Sequence, residues 1–177
     1  LDPDNLADAT CTDLKNDDHR LRVLAIGRLT YYKGFEYLIR AASMTPGAVF
    51  HLVGSGELEN SLKRLATKLG VDDRVTFHGK VTAQQLAEHY AHCDCLCLPS
   101  IERTEAFGLV LLEAMYFSKT TVASDVPGSG MGWIVDDGVT GLKVPVADAG
   151  ALAAAFRQLQ ANRDTLARLG KNGRRKF

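Results

Sequence analysis

Two glutamates, Glu105 and Glu113, stand with seven residues between them in "TEAFGLVLLEAM", residues 104–115. Glu113 follows Leu109, Val110, Leu111 and Leu112 and precedes Ala114 and Met115, so an acid sits in an apolar run. A carboxylate moved from water into such surroundings costs several kcal/mol unless something pairs with it. The partner is either a cation of this chain or a ligand, and a vicinal diol would suit, because one carboxylate accepts two hydroxyl hydrogen bonds. The residue types leave both open. If the helix opens near Phe107 or Gly108, Glu105 lies in the loop at its mouth. Glu113 then lies about one and a half turns in, and the bare Gly108 amide can meet an anion.

A second concentration of chemistry is "GRLTYYKG", residues 27–34. Gly27 permits a sharp turn with room for a ligand. Arg28 and Lys33 lie at the two ends of a short loop that Gly34 closes before a helix. Cations at a helix N-terminus oppose the helix dipole, and a bound diphosphate would remove the conflict. The plain alternative is two solvated surface cations. In "FHGKV" (77–81) Gly79 permits close backbone approach and Lys80 adds a charge. "GSGELE" (54–59) begins like a dinucleotide fingerprint, but Glu59 replaces its third glycine, and Glu57 and Glu59 would repel a pyrophosphate. A nicotinamide or flavin site is therefore not expected, and no P-loop motif occurs.

Other classes are set aside by composition. Of 177 residues, 46% are apolar and 24% charged, which suits one soluble domain. Lys plus Arg and Asp plus Glu number 21 each, so no bulk charge recruits nucleic acid. No apolar run reaches the ~18 residues of a membrane span, and no signal peptide heads the chain. "HCDCLCLP" carries Cys93, Cys95 and Cys97 beside His92. It reads as a strand with small buried thiols rather than a metal site, because no second ligand pair occurs. Reduced thiols point to the cytoplasm. His51, His78, His89 and His92 read as separate structural or solvated residues. Residues 1–20 are expected to be an interdomain linker remnant and 21–177 a domain cut from a longer protein.

The elements that must position these residues alternate. Strands are expected at "LRVLAIG" (21–27), "AVFHLVG" (48–54), "VTFHG" (75–79), "CLCLP" (95–99), "TTVAS" (120–124) and "GLKVP" (141–145), with a short one at Ile134 and Val135. Helices carry Phe35, Leu38 and Ile39; Leu58, Leu62, Leu65 and Leu69 from Glu57; Leu86 and Tyr90 after Thr82; residues 108–117; and two more from about Asp148 and Asp164. Such alternation predicts an α/β, doubly wound parallel sheet (Rossmann-like) with ligands outside the carboxyl ends of its strands.

The E-x7-E spacing inside "PSIERTEAFGLVLLEAM", together with "GRLTYYKG" some seventy residues earlier, resembles the donor domain of the retaining GT-B glycosyltransferases of group 1 (family four). The resemblance spans about residues 21–160. It implies that Arg28 and Lys33 hold the diphosphate of a nucleotide-sugar, Glu113 the ribose hydroxyls, and Glu105 the transferred sugar. Gly27 and Gly34 would shape the diphosphate loop. The amides of Phe107, Gly108 and Leu109 would face sugar and phosphate, and backbone near Lys80 and Val81 the base. It further implies no cofactor and no metal, and an N-terminal acceptor-binding domain as partner in the full-length protein. Any peripheral membrane association would run through that domain, and the isolated chain would transfer no sugar. One departure is visible. After "VASDVPG" the family commonly has a Gly-Gly-x-x-Glu segment, whereas "SGMGWIVDDGVTG" places Trp133 where that acid would fall. The rival reading is a non-catalytic doubly wound module that binds a nucleotide or a protein partner.

Overall fold

The computed structural model describes residues 20–177, so the expected linker at 1–20 lies almost wholly outside the described residues. Six strands form one all-parallel sheet in the order β3-β2-β1-β4-β5-β6. They are β1 (Leu21–Ile26), β2 (Ala48–Val53), β3 (Val75–Gly79), β4 (Cys95–Leu98), β5 (Thr120–Ser124) and β6 (Gly141–Val144). The helices are α1 (Phe35–Ser43), α2 (Glu59–Lys68), α3 (Ala83–His92), α4 (Leu109–Tyr116), α5 (Met131–Ile134), α6 (Ala149–Ala161) and α7 (Arg163–Lys176). This is the doubly wound fold expected from the alternation. Strand order reverses between β1 and β4, where ligands of such sheets bind.

Each strand face packs on its own apolar layer because successive side chains point to opposite sides. Val23, Ala25, Phe50, Leu52, Cys95 and Cys97 join Leu38, Ile39, Phe156 and Leu159 on one side. Leu24, Val53, Leu96 and Leu98 join Tyr90, Leu111 and Met115 on the other. The cysteines therefore act as core residues: burial pushes their thiols up, Cys93 to about 12. Capping follows local chemistry. Thr82 and Gln85 form a reciprocal capping box on α3, and Asp148 and Asn162 cap α6 and α7.

Three expectations are corrected. Ile134 is not in a strand; it ends α5, and Val135 follows in extended backbone. Met131 is buried among Leu111 and Met115, and that anchor favours one helical turn over another strand. Helix α2 begins at Glu59 rather than Glu57, which leaves Glu57 in the loop. The histidines are not all separate. His51 on β2, His78 on β3 and His89 on α3 converge, with His51 Nδ1 3.0 Å from His78 Nε2 and the His78 and His89 rings 4.4 Å apart.

Burial, then the neighbouring His78, His89 and Arg22, hold the His51 imidazole down to about 4. Burial likewise lowers His78 and His89. The folded state thus keeps these rings neutral where the unfolded chain, with ordinary values near 6.5, takes up protons. Stability contributed by neutral rings is complete above about pH 6.5 and is lost as pH falls toward 4. We expect Tm to fall by roughly 3–6 °C between neutral pH and pH 5, beyond the change in a His51→Gln variant. Thermal unfolding of both proteins across that range checks this, and equal slopes would show that the cluster is not responsible.

Candidate functional site at the carboxyl rim of the sheet

The loop after β1 is pressed against the loop after β4. A single 3-10 turn, Tyr31–Lys33, ends at Gly34 in left-handed backbone (φ 66°). A Cβ on Gly34 would lie 2.1 Å from the Pro99 carbonyl oxygen, so only glycine permits this approach. The Ile101 amide donates to the Tyr32 carbonyl at 2.8 Å and fixes the register of the two loops. As a result Lys33 meets Glu105. Their ammonium and carboxylate form an ion pair, and the Ser100 hydroxyl donates to the same Glu105 oxygen at 3.1 Å. The two side chains are only 11% and 12% exposed, so water screens them little. The Lys33 stem crosses directly above Gly27, whose missing side chain leaves the passage open.

Arg28 behaves differently. Its side chain is 74% exposed and lies 3.6 Å from Glu57, whose carboxyl is held below its usual range first by the Thr30 hydroxyl. Arg28, Gly27, Lys80 and Val81 share the walls of one open groove of about 700 Å³, floored by the Gly54–Gly56 turn. The groove runs across the carboxyl ends of β1, β2 and β3, as the fold dictates. Both its cations, Arg28 and Lys80, are exposed.

Glu113 answers the question posed by its apolar run: the chain supplies a partner, and it is neither Arg nor Lys. The Tyr90 hydroxyl, on α3, donates to Glu113 Oε2 at 2.6 Å. Burial first, and then the carboxylate, raise the Tyr90 phenol far above its ordinary value, so it stays a donor. Among the described residues Glu113 Oε1 takes no hydrogen bond, and the acid is only half-buried. Glu113 does not itself wall the groove. Leu86 does, one turn before Tyr90 on the same face of α3.

Helix α4 opens at Gly108, also left-handed (φ 67°), where a Cβ would lie 2.8 Å from Leu98 Cδ2. No side chain caps its first turn, so those amides face the rim. Phe107 and Leu109 on either side are exposed. Phe107 faces a neighbouring groove that it shares with Trp133. The structure thus gathers Gly27, Arg28, Lys80 and Val81 in one groove and places Lys33 with Glu105 beside it. Glu113 is held apart from both by Tyr90, and Phe107 lines the other groove. Sequence reasoning missed Ser100 and Tyr90. Ser100 sits next to the proline that ends β4, but no pattern marks a hydroxyl for an acid five residues on. Tyr90 carries only the helical spacing from Leu86, which signals burial alone. No group of three or more His, Cys, Asp or Glu among the described residues could hold a metal ion.

Removing one member of a shielded ion pair leaves the other uncompensated, at a cost of about 3–5 kcal/mol. Lys33→Met is therefore expected to destabilise the chain by roughly that amount, and adding Glu105→Leu should recover most of it. Urea unfolding of the single and double variants measures the coupling, and additive losses would contradict the pairing.

With this geometry in view, comparison with known proteins is informative. Residues 12–176 match the family model of the group 1 glycosyl transferases. The O-antigen chain mannosyltransferase C of Escherichia coli is 34% identical over 154 residues, covering 87% of this chain and 41% of that protein. The lipopolysaccharide core biosynthesis glycosyltransferase LpsE of Rhizobium meliloti is 34% identical over 151 residues, 85% of this chain and 43% of that protein. Among solved structures, HepE of Anabaena in complex with UDP and glucose superposes with a TM-score of 0.81 at 26% identity, covering 89% of this chain and 43% of that one. The chain spans about two fifths of the length of these relatives. On the match over residues 12–176, the chain belongs to the group 1 glycosyl transferases.

Proposed function

We propose that this chain is the donor-binding half of a retaining, family four glycosyltransferase that moves a hexose from a nucleotide-diphospho-sugar onto an acceptor. The observation that carries the reading is the shielded Lys33–Glu105 pair, which bridges the loops where the strand order reverses, beside the exposed Arg28 groove. The names of the relatives concern O-antigen and lipopolysaccharide synthesis, and a structural neighbour holds UDP and glucose, which supports glycan synthesis from a nucleotide-sugar.

The roles follow from the chemistry. Cleavage of the bond between the anomeric carbon and the diphosphate leaves its electron pair on a phosphate oxygen. Arg28, Lys33 and the open amides near Phe107, Gly108 and Leu109 would stabilise that charge as it develops, and loss of one such donor costs ~10²–10³ in rate. The acceptor hydroxyl forms the new bond to the anomeric carbon and passes its proton to the departing diphosphate oxygen. A phosphate entering the site offers Lys33 a second partner, which frees Glu105 oxygen for hydroxyls of the sugar. Glu113 would take the ribose hydroxyls through Oε1, with Tyr90 holding Oε2. Gly27, Gly34, Lys80 and Val81 would line the diphosphate and base. Two cations suffice to neutralise the leaving group, so no metal or cofactor is proposed.

Turnover belongs to the full-length protein with its proposed acceptor domain, so donor binding is the property to measure on this chain. Isothermal titration with UDP, GDP and ADP is expected to show saturable binding of at least one of them. Glu113→Gln keeps an acceptor for Tyr90 and should weaken that nucleotide about tenfold, which is ~1.4 kcal/mol. Absence of binding by all three to the folded chain would favour the rival, a non-catalytic module.

A further inference from the structure

Across the Glu105 loop from Lys33 lies a second groove, of about 980 Å³, whose apolar lining includes Phe107 and Trp133. Both are unusually open to water: Phe107 is 66% exposed and Trp133, on α5, 86%. Large exposed rings that line a concavity mark a ligand surface far more often than scattered apolar residues do. The groove is also joined to the proposed donor site by hydrogen bonds. The Ser129 hydroxyl donates to the Glu105 carbonyl at 2.6 Å, and the Gly130 amide donates to the Ala106 carbonyl at 2.7 Å. The Phe107 ring lies where a Cβ of Gly130 would come within 2.8 Å, so ring and loop are packed as one wall. Glu105, which would touch the transferred sugar, therefore belongs to the same stitched segment as Trp133.

The charges select the chemistry of the occupant. Lys176 lies 2.8 Å from Asp136 and also donates to the Trp133 carbonyl. Lys143 behind the wall lies 3.8 Å from Asp125 and reaches the Gly132 carbonyl. Each lysine is thus already engaged by an acid, and the exposed Arg103 guanidinium lies against Gly128 at the rim, outside the groove's own lining. What it presents is aromatic faces beside carboxylates that are half or more exposed, Asp125 and Asp136, with acceptor lone pairs to spare. A pyranose fits both features: its C–H face packs on a ring and its hydroxyls donate to the acids. An acyl chain would leave the acids facing apolar surface, and a phosphorylated ligand would meet them as like charges.

Resting on the donor reading above, we infer that the Phe107–Trp133 groove holds a neutral saccharide of the acceptor, with Trp133 as its stacking platform next to the transferred sugar. The acceptor is then a glycan that presents a hydroxyl from its non-reducing end, rather than a bare lipid or an anionic headgroup. Trp133, where the family commonly has an acid, would set acceptor preference.

Trp133 is the only tryptophan of the 177 residues, so its emission reports the groove directly. The chain, saturated with the nucleotide that binds it, is titrated with α-linked mannobiose, with maltose and, as an anionic control, with glucose 6-phosphate. Expected is a saturable change in Trp133 emission for at least one disaccharide, with a dissociation constant in the millimolar range, and none for glucose 6-phosphate. Trp133→Ala should weaken the disaccharide at least fivefold by ligand-observed NMR, Trp133→Phe by less, and both should bind nucleotide within twofold of the parent. Unchanged emission with every disaccharide while nucleotide still binds would overturn the saccharide groove and leave the donor reading standing. A stronger response to the anionic sugar, or equal disaccharide binding by Trp133→Ala, would also overturn it. Loss of all nucleotide binding by the parent would remove the donor reading and this inference together.

Discussion

Neighbouring parallel strands whose crossovers depart in opposite directions leave a gap at their carboxyl ends that no helix covers. In this chain the gap lies between β1 and β4, and the loops that leave those strands are drawn across it until Gly34 touches the Pro99 carbonyl. The approach brings a lysine and a glutamate 72 residues apart into one ion pair with little water around it. An interaction of this kind is strong only while both partners are present and shielded. The glycine that permits the approach, the Tyr32–Ile101 hydrogen bond that fixes it and the Ser100 hydroxyl that completes it all serve that one contact.

The surroundings of the pair divide charge by exposure. Lys33 is enclosed, whereas Arg28 and Lys80 stand at the surface of the groove, where they can meet an incoming anion without first losing a buried partner. Arg28 has only a loose contact with Glu57 to give up. Glu113 is treated differently again. Its partner is the hydroxyl of Tyr90, which anchors one carboxylate oxygen and leaves the other for further donors. A lysine in that place would have made Glu113 a structural residue. The choice of a phenol leaves it with chemical capacity.

The segment from Gly128 to Asp136 extends the same logic. It carries the exposed Trp133, and it is fastened to the Glu105 loop by two hydrogen bonds and anchored by buried Met131. Its exposed indole stands beside lysines paired with aspartates.

How much was legible in the sequence follows from the range of each signal. Strand runs such as "LRVLAI" and the spacing of Leu62, Leu65 and Leu69 are local, so the alternation and hence the parallel doubly wound sheet could be read directly. The likeness of "GRLTYYKG" and the two glutamates to one family was equally local, and membership of group 1 proved correct. Loops after strands were also predictable, because in such a sheet the ligand end is fixed by chain direction. What sequence could not supply were pairings across elements: Lys33 with Glu105, Tyr90 with Glu113, and the convergence of His51, His78 and His89 from two strands and a helix. Each depends on side-chain direction and on the distance between elements, quantities with no period along the chain. The turn at Met131–Ile134 was misread for the same reason, since its apolar residues suit a strand until the buried position of Met131 makes them a helix. Chain order determined which residues could reach the rim; only the packed sheet decided which of them meet, because contact depends on the third dimension that a one-dimensional pattern does not carry.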